Sequence, residues 1–190
     1  MALEHAILAS LNSSPKTGYE LAKQFGADGF YWRASHQQIY RELKLLEKDG
    51  LVEFSPGEPG SRGERDRVIT DRGRDHLAEW ARKPAQAASI KEDLLVKCLS
   101  LGLIPREDLS RQIAERRAHH VARLAQYEAL RALGYPKEEA IDGAELGRFL
   151  ALLGGISYER QWIDWAETAI RLLAGPRKKK REALKSEESA

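Results

Sequence analysis

The sequence predicts a mostly α-helical protein in which three short helices and a β-hairpin come first and a group of longer helices follows. Three observations predict it. Apolar residues recur at helical spacing through most of the chain, and one Gly/Pro/Ser-rich interruption separates two short apolar runs. Just ahead of three helical patterns a Ser or Thr is followed three positions later by Glu or Gln, the signature of a capped helix start. At 190 residues, 42% hydrophobic and 32% charged, the chain can bury one or two small cores.

The first helix is expected over 2–11, where Leu3, Ile7, Leu8 and Leu11 share a side, and the run NSSPK ends it. The second lies in TGYELAKQFG: Thr17 and Glu20 form the capping box, Tyr19, Leu21, Ala22 and Phe25 supply apolar contacts, and Gly26 stops it. The third lies in SHQQIYRELKLLEKDGL. Ser35 and Gln38 cap its start, Ile39, Leu43 and Leu46 stack into an inner stripe, and Gly50 suits the left-handed position after its end. Turning ~100° per residue brings Gln37, Arg41, Lys44 and Lys48 out on the opposite side, flanked by Gln38 and Tyr40. Residues 51–54 and 67–70 then read as two strands around the loop SPGEPGSRGE, with Arg62, Arg65 and Arg67 concentrating positive charge there.

Three helices and a hairpin is the order of a winged helix-turn-helix domain, whose third helix lies in the major groove while the wing reaches the flanking backbone. The residue types suit that task. Gln37 and Gln38 can donate and accept together at an adenine edge, Arg41 can engage guanine, and Lys44 and Lys48 suit phosphates. The candidate DNA-binding set is therefore Ser35, Gln37, Gln38, Tyr40, Arg41, Lys44, Lys48, Arg62, Arg65 and Arg67.

A fourth helix begins near Thr70 with Leu77 and Trp80 on one side, and KPAQAAS follows as a linker, dividing a DNA-binding domain at 1–83 from a helical domain at 89–174. Ser89 and Glu92 cap a helix through about 101, in which Cys98 of LLVKCLSLG reads as a buried structural thiol. Pro105 opens a long helix to about 133 whose face of Leu109, Ile113, His120, Leu124 and Tyr127 makes His120 a core or interface histidine. His119 points elsewhere, so the pair offers no metal site. In the final helix, 145–174, Leu146, Phe149, Leu150 and Leu153 define one stripe. Beyond Gly154 and Gly155 the residues Tyr158, Trp162, Trp165, Ala169 and Leu173 gather on nearly the opposite side. A helix needing cover on two sides predicts a homodimer, with Phe149, Leu153, Tyr158, Trp162 and Trp165 as dimerisation or effector residues; the two tryptophans are where a small aromatic effector would stack. The tail at 175–190, with its basic run RKKKR, is too polar to fold.

Charge and composition narrow the function classes. The part through Lys83 holds 13 basic and 13 acidic residues, so a nucleic-acid footprint has to come from placement on one face. Cys98 is the only cysteine, which excludes an internal disulfide and a cysteine zinc cluster. No apolar run reaches the ~20 residues a bilayer requires, and a cytoplasmic chain with no membrane partner is expected. No nucleophile, carboxylate pair, metal set or cofactor motif stands at catalytic spacing, so neither an enzyme nor a cofactor is expected.

The run SHQQIYRELKLLEKDGLVE, with Tyr31 and Trp32 just before it and VITDRG closing the hairpin, resembles the PadR family of bacterial transcriptional regulators. The resemblance is sharpest over 1–80, and the helical remainder is similar to the family's dimerisation region in its virulence-activator-like members. It implies a dimeric regulator, a repressor on a pseudo-palindromic double-stranded operator, released when a small effector binds. Family wings carry a Lys-x-Tyr pair where this chain reads ERDRVIT, which puts Arg65 and Arg67 there and removes the aromatic. Two alternatives suit the same residues: an activator of the same family, or a winged-helix module that binds protein and reads no bases.

Overall fold

The computed structural model describes residues 2–26, 34–56, 65–85, 92–136 and 141–175. They fall into two compact units, Met1–Ala88 and Ser89–Ala190. The first contains α1 (Ala2–Ser13), α2 (Gly18–Gln24), α3 (His36–Lys48), β1 (Val52–Phe54), β2 (Arg67–Ile69) and α4 (Asp71–Arg82).

Local chemistry fixes these boundaries. At α2 the Glu20 N–H donates to the Thr17 hydroxyl at 3.1 Å, and the Glu20 carboxylate accepts the Thr17 N–H at 2.8 Å. At α3 the Gln38 N–H donates to the Ser35 hydroxyl at 3.3 Å, while Gln38 Oε1 accepts the Ser35 N–H at 2.8 Å. Such caps contribute about 1 kcal/mol each. Gly50, at φ +65°, makes the left-handed turn after α3. The strands pair antiparallel with Val52 opposite Ile69, Glu53 opposite Val68 and Phe54 opposite Arg67. The segment before α2 adds a third rung, since Arg67 N–H donates to the Lys16 carbonyl at 2.8 Å and Lys16 N–H to the Arg67 carbonyl at 3.2 Å.

One core joins these elements: Ile7, Leu8 and Leu11 from α1, Leu21, Ala22 and Phe25 around α2, Ile39, Leu43 and Leu46 from α3, and Leu51, Val52 and Ile69 from the hairpin. Each fully buried Leu or Ile stabilises it by about 2 kcal/mol. Thr70 caps α4 by accepting the Gly73 N–H at 3.0 Å, and its own hydroxyl donates to the Gly50 carbonyl at 2.8 Å. Gly73 sits so close to the hairpin that a Cβ there would lie 2.2 Å from the Leu51 carbonyl oxygen. The turn after α3, the hairpin and α4 are thereby locked together.

The second unit contains α5 (Asp93–Leu99), α6 (Arg106–Gly134) and α7 (Gly143–Leu173). Glu92 itself caps α5, accepting the Leu94 N–H at 3.3 Å; the expected cap Ser89 lies outside the described residues. Helices α6 and α7 run antiparallel, as the ordered contacts Arg117 with Glu167, His120 with Glu159 and Tyr135 with Phe149 show. Leu94, Leu109, Ile113 and Ala166 form the centre, with Cys98, Ile104, Trp162, Trp165, Ala169, Ile170 and Leu173 packed partly buried around it.

One expectation for α7 needs correction. The line buried against α6 is Phe149, Leu152, Ile156, Glu159 and Ala166, whereas Leu146 and Leu150 are exposed and Leu153 is half-buried. The reason is Glu159, a carboxylate that reads as surface but is buried because His120 faces it across the helix pair. The helix also runs uninterrupted through Gly154 and Gly155. No described helix is long and apolar enough to cross a membrane.

Candidate nucleic-acid interface

Helix α3 turns an apolar stripe inward and a cationic, amide-bearing face outward, with Glu42 buried and Leu45 exposed as the departures from that pattern. Ile39, Leu43 and Leu46 are buried, while Gln37, Arg41, Lys44 and Lys48 are exposed on the opposite side. Among the described residues, none of those four side chains takes a hydrogen bond or ion pair within the protein. A row of cations and an amide held rigid by the packed inner stripe, and left without internal partners, is a surface ready for phosphate oxygens and base edges.

The other residues expected on this surface divide into groups. Ser35 and the Oε1 of Gln38 are committed to the cap, which leaves Gln38 only its amide donors. Tyr40 is half-buried against the core, its ring 6.5 Å from that of the exposed His36. In the wing, Arg65 is exposed, donates to the Ser55 carbonyl at 3.0 Å and lies over the Phe54 ring at 5.3 Å. Arg62 lies outside the described residues. Arg67 departs from expectation. Its side chain is only 13% exposed, its Nε donates to Glu47 of α3 at 2.6 Å, and its guanidinium packs over Phe54 at 4.8 Å. It is a strut between wing and α3, because its register opposite Phe54 turns it back toward the helix.

Behind this surface Lys16 anchors the turn between α1 and α2, donating to the Ser10 carbonyl at 3.1 Å and the Ser14 hydroxyl at 2.7 Å. Burial holds its ammonium below the ordinary lysine range, with Glu20 pulling the other way.

The second unit leaves a different surface. A groove of about 790 Å³ is lined by Leu95, Val96, Leu99, Leu101, Trp165 and Leu172, among others. Leu99 is 87% and Leu172 67% exposed, and Leu103 beside them is 88% exposed. Cys98, expected to be buried, is half-buried on its wall. Of the expected dimerisation or effector residues, Trp165 lines this groove. Trp162 is stacked on His120 at 4.0 Å and meets Trp165 edge-on at 5.2 Å, Tyr158 is exposed with its ring 6.2 Å from His120, and Phe149 is buried against Tyr135. Tyr158, Trp162 and Trp165 are thus linked through His120, while Phe149 is buried apart from them and Leu153 is half-buried.

Comparison with known proteins bears on both units. Residues 7–79 match the "Transcriptional regulator PadR-like family", and residues 90–174 match "Virulence activator alpha C-term". A Mycobacterium tuberculosis protein named "Probable transcriptional regulator Rv1176c" is 35% identical over 185 residues, covering 91% of this chain and 98% of that one. The chain belongs to the PadR-like family of transcriptional regulators. The "Negative transcriptional regulator PadR" of Bacillus subtilis is 26% identical over 90% of this chain and 97% of its own length. Its solved complexes with operator DNA and with p-coumaric acid share the fold, at TM-scores of 0.74 and 0.70, with the first covering 91% of this chain and 99% of that one. The Vibrio cholerae virulence activator AphA is 29% identical at a TM-score of 0.72, covering 90% and 98%.

Three features of this PadR-like chain were not among the expected site residues: Glu47, which captures Arg67; His36, exposed in the first turn of α3; and the aliphatic groove of α5 and Leu172. Only the last left a signal, since LLVKCLSL is too uniformly apolar for a short helix with one covered side.

Proposed function

We propose that the chain is a dimeric, sequence-specific DNA-binding repressor whose α3 enters the major groove of a pseudo-palindromic operator. The observation that carries this reading is the exposed face of Gln37, Arg41, Lys44 and Lys48, free of partners among the described residues and backed by a fully packed inner stripe. Arg41 and Gln37 reach base edges, Lys44 and Lys48 hold phosphates, and Arg65 extends the positive footprint along the wing. Dimerisation covers the aliphatic groove of α5 and Leu172 with the same surface of a second copy and sets two α3 helices one DNA turn, ~34 Å, apart. A small aromatic compound is the effector in this reading, supported by the Bacillus relative having been solved in complex with p-coumaric acid, with Trp165 on the groove wall as the stacking surface.

An electrophoretic shift of the duplex upstream of the protein's own gene tests the reading. It predicts retention over random DNA at physiological salt; equal mobility of the two duplexes would refute it. A second reading, activation, is favoured by the match of residues 90–174 to the virulence-activator region, and a reporter whose output falls on deletion of the gene would select it.

A further inference from the structure

On the first unit, away from the α3 face, α1 and α4 bring together Glu4, His5 and His76. A potential ligand atom from each lies within 4.8 Å of those of the other two. His76 Nε2 is already 2.8 Å from Glu4 Oε1. The His5 and His76 rings are nearly parallel, 7° apart with centroids at 5.3 Å, and His5 is in turn stacked on Trp80 at 4.3 Å. His5 is buried, whereas the Glu4 and His76 side chains are 22% and 40% exposed, so the cluster has a fixed floor and an open mouth.

We propose that Glu4, His5 and His76 form a site for a divalent transition-metal ion that clamps α1 to α4. Two imidazoles and one carboxylate make a nitrogen-rich set that suits Zn²⁺, Ni²⁺ or Co²⁺ over Mg²⁺ or Ca²⁺. Ligand atoms about 2.0–2.2 Å from a tetrahedral ion stand roughly 3.3 Å apart. Reaching that takes a closure of no more than about 1.5 Å together with a rotation of the exposed His76 ring out of its parallel stack on His5, so that its in-plane lone pair points at the ion. The ion would take the place of the proton between Glu4 and His76, and water would complete its shell on the open side. Binding at this position ties the first helix of the unit to its last.

Trp80 supplies an internal reporter. Untagged full-length protein, stripped with chelator, should bind one equivalent of Zn²⁺ per chain by calorimetry, and Ni²⁺ should quench part of the tryptophan fluorescence. His76→Asn and His5→Asn should each weaken Zn²⁺ binding at least about tenfold, while His36→Asn and His119→Asn leave it unchanged. Trp80→Phe should remove the Ni²⁺-dependent quenching and keep the calorimetric equivalent. Should His5→Asn unfold, the exposed His76 position carries the test. Absence of Zn²⁺ binding in the stripped protein, wild-type affinity in His76→Asn, or undiminished quenching in Trp80→Phe would each overturn the site.

Discussion

Helices α3 and α7 each bury a carboxylate but leave opposite kinds of surface outside. In α3 Ile39, Leu43 and Leu46 are absorbed by its own unit together with Glu42, and apart from Leu45 the outward surplus is cationic and amide-bearing, at Gln37, Arg41, Lys44 and Lys48. In α7 the buried carboxylate, Glu159, is paired with His120, which stacks on Trp162, and the surplus facing outward is aliphatic or aromatic, at Leu146, Leu150, Tyr158 and Leu172. A surface left unmatched after folding names its partner's chemistry. Spare donors and positive charge want phosphates and base edges, whereas spare aliphatic area, especially where it lines a groove with α5, wants another apolar face. The two units of one chain therefore leave two chemically different surfaces, which is why the proposed reading assigns DNA to the first and a second copy to the other.

The sharpest way to break that contrast is to disturb the internal polarity of α7. Glu159→Ala strands His120 in the helix pair, where its Nε2 is already buried without a partner, and should cost about 3 kcal/mol in urea unfolding. Glu159→Gln, which keeps the shape and an acceptor, should lose less. If both variants unfold at the wild-type midpoint, the buried pair does not organise the second unit. Next comes the aliphatic surplus. Leu99→Asp places a charge on a side chain 87% exposed in the single chain, so it should leave secondary structure unchanged yet weaken self-association by about 2 kcal/mol, roughly 30-fold, in sedimentation equilibrium. Unchanged association would move the dimer surface elsewhere. The strut of the wing should matter slightly less: Arg67→Ala leaves Glu47 unpaired at the wing root and should lower stability by about 1 kcal/mol without changing which bases are preferred. The smallest effect belongs to the phosphate contacts. Lys48→Ala should reduce the slope of log affinity against log salt by about 1, uniformly across sequences.

The difference between the units also explains what could be read without coordinates. In the first unit the decisive signals are local. The Ser35–Gln38 box, the Ile39–Leu43–Leu46 stripe and Gly50 all lie within sixteen residues, and each specifies one end or one face of α3. Gly73 belongs to the VITDRG motif, and the structure supplies its reason: the Leu51 carbonyl leaves no room for a Cβ. Arg67 escaped because its partner Glu47 lies 20 residues away, and strand register alone turns the guanidinium inward. In the second unit the decisive pair, His120 and Glu159, is 39 residues apart. Periodicity finds His120 among apolar neighbours but passes over Glu159, since a lone carboxylate on a helix reads as solvated until something across from it demands burial. Periodicity is likewise blind to what covers an apolar face. Residues 94–101 look like core, and their own chain leaves most of them outside.

Base-resolved binding-site selection, comparing the wild-type protein with Gln37→Ala and Arg41→Ala, tests the assignment of α3 most directly. The account predicts that each variant keeps its fold and most of its non-specific affinity. Each should lose about 1–3 kcal/mol of discrimination at its own position of the half-site, guanine for Arg41 and adenine for Gln37. Identical preferences in all three proteins would contradict it, because the free polar face of α3 would then be reading nothing.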